Sequence, residues 1–513
     1  MLLFWLRAAL MLAFLIGDSL TLQAQNCPEA PAPRANDMAA YYQIVPGPHH
    51  IQVLNEGVSA LQARLDVIAR AQCYISVEYI IYYNDQAGRL ISQALIRKKR
   101  EIPRIRIRIL MDAPPLGWSA LDRYTTTELL ANGIEVGYYN PSFNLFNITH
   151  RNHRKLILTE NEVIFGGRNI GNHYFDMAPA YGFADRDLWL KGPGLRAMSE
   201  VFELYWNSNR VESAKPVKAP KPQDFSRDYL TCTTPNTCYW PTTEGGQQDE
   251  AAFQNAWAND NRRRGFSLDF LTPSRRDSTL LRRINHIADS LLAIEPVFEV
   301  DTLSFISDHP DFKRKDGNIT GASAYPFIQT AKDSVWVENG YFIPQGLEKK
   351  TLREMLDAGI QVKLLTNSRE STDEFIPNTL TQWTARTLLK DGLKVWLYKG
   401  KTPRAQMPDP ENTPDAILNT HAKTIVVDDK DVWIGTMNFD PRSVLRLNSE
   451  MAVIVHNNTA FAQHVFSNIA YRLQSAHPMT LDLPDARERI KSVKQWFQVL
   501  FTHLGRMLAE SQF

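Results

Sequence analysis

Hydrophobic and polar positions along the chain alternate between two periods. Residues 60–71 carry apolar side chains at helical spacing, and residues 74–83, rich in Ile, Val and Tyr, read as a strand. Residues 89–99 predict a second helix. Residues 105–110 alternate Arg and Ile and predict a strand that ends at Asp112. A helix over 125–132, a strand over 134–138, a strand through His153 and its return over 163–165 complete the series. The same order recurs further on: strand 335–342, helix 346–358, strand 362–366, helix 381–391, strand 394–398, then a strand through His421 and its return over 432–434. Strands alternating with helices predict an α/β fold in which helices cover the faces of a mixed sheet. The repeated order predicts a duplicated domain, with lobes at 38–213 and 325–478.

Between the lobes, residues 214–324 break the pattern. Residues 217–222 are Lys/Pro-rich, residues 242–260 are polar, and helical spacing returns over 278–292. The stretch is therefore expected to be an irregular insertion or linker. Its basic clusters, Arg262-Arg263-Arg264 and Arg275-Arg276, read as a solvated face, with contact to an anionic surface as the alternative. Residues 485–511 place Val493, Phe497, Leu500, Phe501, Leu504 and Leu508 on one stripe and predict an amphipathic helix. Such a helix either packs on the body or lies in a membrane interface, for which Trp496 and the surrounding basic residues are suited.

Composition changes this picture little. A chain of 513 residues exceeds what one core usually supports, and 44% hydrophobic with 22% charged residues is ordinary for a folded protein. A formal net charge of +1 argues against binding through a large basic surface, so no nucleic-acid partner is expected. Residues 1–24 carry one early positive charge, an apolar run and a small residue, Ala24, at the end. They read as a secretory signal peptide, or as a membrane anchor that is not cleaved. Either places the protein outside the cytoplasm or on the membrane of a bacterium: exported, periplasmic or membrane-associated. Cys232 and Cys238 flank a turn-rich spacer and suit a local disulfide, whereas Cys73 lies in an apolar run and reads as a buried thiol.

The candidate chemistry is a phrase that occurs twice. The second copy is His421-Ala422-Lys423 leading to Asp428, then Gly435-Thr436-Met437-Asn438; the first is His153-Arg154-Lys155 leading to Glu160, then Gly166-Gly167-Arg168-Asn169. On a strand, His and Lys two residues apart share a face. Two such pairs converging on one pocket would suit a phosphodiester. One His attacks phosphorus, the other protonates the leaving group, and the lysines hold phosphate oxygens. An imidazole, with its ordinary pKa near ~6.5, can serve in either role. Thr436 and Asn438 sit where the return strand ends and can bring polar groups beside His421.

These residues give the chain its family likeness. It resembles the phospholipase D superfamily, and within it the bacterial cardiolipin synthases of the C-type branch. The likeness extends over about residues 40–475 and includes Gly166-Gly167-Arg168-Asn169-Ile170-Gly171. It also includes Tyr205-Trp206-Asn207, Thr366-Asn367-Ser368 with Ser371-Thr372-Asp373, and Asn438-Phe439-Asp440-Pro441-Arg442-Ser443 with Glu450. The resemblance implies two phospholipase D-type lobes with the active site between them, a phospholipid substrate, a membrane surface as partner, and no metal or cofactor. It further implies a phosphatidyl-histidine intermediate with His153 as nucleophile and His421 as general acid and base. Lys155 and Lys423 would hold phosphate beside Asn169 and Asn438, and Asp187 and Glu450 would orient the imidazoles. Asp428 belongs to the catalytic motif, and Arg168, Thr436, Arg442 and Ser443 would contact substrate.

The first copy departs from the family pattern: Glu160 stands where the second copy has Asp428, and the spacing to Gly166 is shorter by one. Glu78 and the run Glu338-Asn339-Gly340-Tyr341 also differ from the usual wording. Four activities follow from the same residues. They are phosphatidyl transfer to an alcohol, giving cardiolipin; hydrolysis to phosphatidic acid; nucleic-acid cleavage; and lipid binding without turnover.

Overall fold

A computed structural model describes residues 27, 38–113, 121, 123–141, 150–178, 181–216, 231–234, 237–239, 275–311, 313–401, 417–444 and 447–482. The expected N-terminal segment 1–24 and the amphipathic helix 485–511 lie outside the described residues. Among those described, no helix is long and apolar enough to cross a membrane.

Sixteen strands form one sheet. In chain order they are β1 (Tyr42–Leu54), β2 (Tyr74–Tyr79), β3 (Arg106–Asp112), β4 (Glu135–Tyr139), β5 (Leu156–Thr159), β6 (Val163–Gly166), β7 (Asp187–Lys191) and β8 (Val211–Ser213). They continue as β9 (Val297–Ser307), β10 (Ser334–Asn339), β11 (Gln361–Asn367), β12 (Lys394–Tyr398), β13 (Lys423–Val427), β14 (Asp431–Gly435), β15 (Met451–Val455) and β16 (Ala476–Pro478). Across the sheet the order is β8-β4-β3-β2-β5-β6-β7-β1-β9-β15-β14-β13-β10-β11-β12-β16. Each half mirrors the other about the β1–β9 seam, so the duplication expected from the pattern is present. β2, β3 and β4 run parallel, as do β10, β11 and β12. Parallel neighbours need long crossovers. The helices Gln86–Glu101, Arg123–Ala131, Gly346–Asp357 and Phe375–Leu389 supply them.

The seam shows what the sequence pattern concealed. β9 lies within the stretch 214–324 read as irregular, yet it pairs antiparallel with both β1 and β15 at the centre of the sheet. Its inward positions Leu303, Phe305 and Ile306 are fully buried, but Glu299, Asp301 and Ser304 interrupt the run and hide the strand. The described residues from Met38 to Asp482 make one compact unit. Alternation sorts the sheet's two faces. Leu156 and Leu158 join a core shared by both halves, covered by the helices Gly194–Trp206 and Thr459–Leu473; Ile157 joins the opposite core of the first half. Each such fully buried side chain contributes about 1.5–3 kcal/mol.

Cys73 is not a buried thiol. It precedes β2, is half-buried and is disulfide-bonded. In the short strands Thr231–Thr234 and Thr237–Tyr239 the register sets Cys232 opposite Cys238.

The turn between β13 and β14 explains both Asp428 and the irregular first motif. Asp428 and Asp429 adopt φ of 48° and 52°, a region that Asp tolerates better than most residues. The Asp428 carboxylate accepts the backbone N–H groups of Lys332, Asp333 and Ser334 at 2.9, 2.9 and 3.0 Å. Glu160 does the same in the first half, accepting from Gln72, Cys73 and Tyr74 at 2.8, 3.3 and 3.3 Å. Asp428 is therefore a staple at the far end of its strand from Lys423, about 16 Å away at strand rise, rather than a catalytic group. The longer Glu160 reaches equivalent amides, so the departure in the first motif leaves the pocket untouched. Replacing Asp428 with Ala is expected to lower unfolding free energy by about 1–3 kcal/mol. Denaturant titration would check this, and activity per folded molecule should hold.

Candidate active site

Two short parallel strand pairs cross between the halves. Arg151–Asn152 pairs with Asn448–Ser449, and Ile417–Thr420 pairs with Tyr181–Ala184. Each pair ends one residue before chemistry: His153 follows Asn152 and Glu450 follows Ser449, while His421 follows Thr420 and Asp185 follows Ala184. The backbone register continues, with His153 N donating to Ser449 O (2.9 Å) and His421 N to Ala184 O (2.8 Å). The side chains then meet across the halves. His153 Nδ1 lies 2.9 Å from Glu450 Oε2, and His421 Nδ1 lies 2.6 Å from Asp185 Oδ2.

The expected residues sort as follows. Glu450 orients His153. Asp187 does not orient an imidazole; it is fully buried against Arg64 (2.9 Å) and Arg168, and Asp185, two residues earlier, takes the expected role. The register shows why: Gly166 pairs with Asp187, and Gly435 with Ala452, so Glu450 corresponds to Asp185. Arg168, expected to contact substrate, is buried and turned to protein acceptors. Its guanidinium donates to Tyr174 O, Leu54 O, Asn55 O, Asp185 O and Asp187, which uses its five donors. Thr436 and Ser443 donate to Glu450 and hold that carboxylate in place. Arg442 is tied to Asp440 (2.8 Å) with its side chain 53% exposed, and its charge reaches His153. His153 and Lys155 do not lie on a strand, since β5 starts at Leu156; Lys423 is the first residue of β13. Both lysines fold back, Lys155 Nζ to His153 O (2.6 Å) and Lys423 Nζ to His421 O, so each ammonium sits beside its own histidine.

Asn169 donates Nδ2 to the Tyr174 hydroxyl (2.9 Å). Asn438 is buried and its Oδ1 has no hydrogen-bond partner among the described residues. Tyr174 and Phe183, stacked at 4.4 Å, both present edges to the His421 ring.

Electrostatics follow from burial around opposed charges. Burial lowers Lys155 to about 7 and Lys423 to about 8, against the pull of Glu450 and Asp185. Burial, then the two lysines, holds His153 well below the ordinary imidazole value; burial and Lys423 hold His421 at about 4. Both imidazoles are neutral at pH 7. Because an ionised carboxylate only accepts, His421 facing Asp185 carries its proton on Nδ1 and keeps the Nε2 lone pair, and His153 does the same where Glu450 is ionised. The two carboxylates differ. Burial raises Glu450 to about 7, whereas His421, Lys423 and Arg168 outweigh burial and hold Asp185 at about 2. Asp185 is thus the firmer support for an imidazolium.

Residues 325–471 match the family model described as "Cardiolipin synthase, PLD-like domain". The matched part of the second half is thus similar to the phospholipase D-like domain of cardiolipin synthases. Cardiolipin synthase C of Escherichia coli (strain K12) is 26% identical over 433 residues, 81% of this chain and 83% of that protein. An uncharacterized protein of Helicobacter pylori (strain ATCC 700392 / 26695) is 24% identical over 87% of this chain and 88% of its own. Phosphatidylserine synthase of Haemophilus influenzae Rd KW20 shares the fold, with a TM-score of 0.57 at 15% identity over 95% of this chain and 97% of that one. The matched residues include His421, Lys423, Asn438 and Glu450, and the corresponding positions of the first half hold His153, Lys155, Asn169 and Asp185.

The depressed imidazoles make stability depend on pH. Between about 6.5 and about 4 the unfolded chain protonates His421 and the folded chain does not, so stability falls as pH falls through that window, by on the order of 2 kcal/mol. Asp185 acts lower: its contribution, present above its ordinary 3.8, is lost as pH falls toward about 2. Denaturation midpoints of wild type and His421→Asn at pH 4.5 and 7 would show a shallower slope in the variant.

Proposed function

We propose that this chain is a phosphatidyltransferase that makes cardiolipin through a phosphatidyl-histidine intermediate. The observation that carries the reading is the pair of crossed His–carboxylate contacts, which set two neutral imidazoles with open Nε2 atoms beside two ammonium groups. His153 Nε2 attacks the phosphorus of a phospholipid, and the bond from phosphorus to the head-group oxygen breaks. His421 takes up a proton from solvent at Nε2 as the anionic phosphodiester enters, is supported as an imidazolium by Asp185, and gives that proton to the departing alkoxide. An acceptor alcohol then loses its proton to His421 and attacks phosphorus, the P–N bond breaks, and His153 is restored. Lys155, Lys423 and Asn438 hold the nonbridging oxygens. The raised Glu450 and depressed Asp185 support His153 as nucleophile and His421 as proton carrier. The N-terminal and C-terminal sequence patterns support an exported, membrane-associated enzyme acting on a lipid surface, with no nucleic acid involved.

The test is product analysis by mass spectrometry with phosphatidylglycerol, phosphatidylethanolamine and glycerol, in EDTA. Wild type is expected to give cardiolipin, and His153→Ala and His421→Ala each to lose at least about 10²–10⁴ of the rate. Phosphatidic acid alone would make the chain a hydrolase, and no lipid product would overturn the reading.

A further inference from the structure

Ser371-Thr372-Asp373 has no part in the phosphate chemistry, yet the fold ties it to the strand that delivers His421. Asp373 Oδ1 accepts the Tyr341 hydroxyl (2.7 Å) and Asn419 Nδ2. Asn419 stands two residues before His421, on the same side of the extended chain, and is itself fixed by Asn367 Nδ2 (2.7 Å). Tyr181, from the first half, donates to Ser371 O (3.3 Å) and packs edge-on to Phe183, which abuts His421. Asp373 is half-buried, and among the described residues both of its hydrogen bonds go to Oδ1. Its charge is felt at His421 and at Lys423. A carboxylate held by one oxygen, whose charge acts at His421 and Lys423, keeps its other oxygen as an acceptor for one further hydrogen bond.

Resting on the transferase reading, we propose that Asp373 selects the alcohol exchanged at His421, favouring one that bears a second hydrogen-bond donor, hydroxyl or ammonium. An alcohol without that donor leaves a partly desolvated carboxylate oxygen unpaired, which is the costly outcome in a site built to bind it. Tyr341 and Asn419 act as positioning residues for Asp373.

The experiment is acceptor competition with the full chain. Glycerol, ethanolamine and 1-propanol at equal concentration compete for transfer from phosphatidylcholine vesicles, and product ratios are read by mass spectrometry. A ratio within one sample does not depend on the fraction of enzyme folded. Wild type is expected to favour glycerol or ethanolamine over 1-propanol, and Asp373→Ala to reduce that preference by roughly 10-fold or more. Asp373→Asn separates the two donors: its amide oxygen still accepts from a hydroxyl but no longer carries the charge that favours an ammonium, so glycerol preference survives if hydroxyl is the ligand and ethanolamine preference falls if ammonium is. Ratios unchanged in both variants, or no preference in wild type, overturn the inference while leaving the transferase reading intact. Wild type that yields no lipid product with any acceptor, like His153→Ala, overturns that reading and the inference with it.

Discussion

Everything at this site depends on one constraint: each of the two imidazoles is held by a carboxylate from the opposite half. The short parallel pairs 151–152 with 448–449 and 417–420 with 181–184 carry backbone register across the divide, and the next residue on each side completes a His–carboxylate contact. Neither half alone fixes the tautomer of its own histidine. Duplication therefore does more here than repeat a fold, because it makes the pocket a property of the pairing.

Keeping those contacts in register requires buried charge, and the protein surrounds it with partners. Glu338, fully buried on β10, accepts from Arg186 (2.9 Å), Arg472 (2.6 Å) and Thr420 (2.9 Å). Arg186 adjoins Asp185, Arg472 also donates to the Asp185 carbonyl (3.3 Å), and Thr420 adjoins His421. On the other side Glu78 accepts from Asn152 (2.6 Å), next to His153. Buried ion pairs add little net stability, but a missing partner leaves an uncompensated charge. They are better understood as setting position: the two Glu residues that depart from the usual family wording hold the residues that precede the histidines.

Much of this was legible in the sequence. The alternation of strands and helices gave both halves, and the doubled His-x-Lys phrase gave His153, Lys155, His421 and Lys423. Glu450, expected beside an imidazole, lies 2.9 Å from His153 Nδ1. Four things escaped, each for a physical reason. β9 alternates charged and apolar residues at the centre of the sheet, where local pattern does not reveal its two neighbours. Asp185 and Asp187 differ by one strand register, which only the pairing with Gly166 decides. Arg168, Thr436 and Ser443 carry polar groups suited to substrate, yet they donate to protein acceptors that sequence cannot locate. Asp428 was misjudged because motif membership says nothing about distance along a strand.

The most direct test of the crossed contacts is ¹⁵N-histidine NMR of the wild type, Glu450→Gln and Asp185→Asn. Both imidazoles should show a strongly hydrogen-bonded, low-field Nδ1 proton. Glu450→Gln should move the His153 signal alone, and Asp185→Asn the His421 signal alone. Signals that respond to neither change, or that respond in the opposite pairing, would contradict the account.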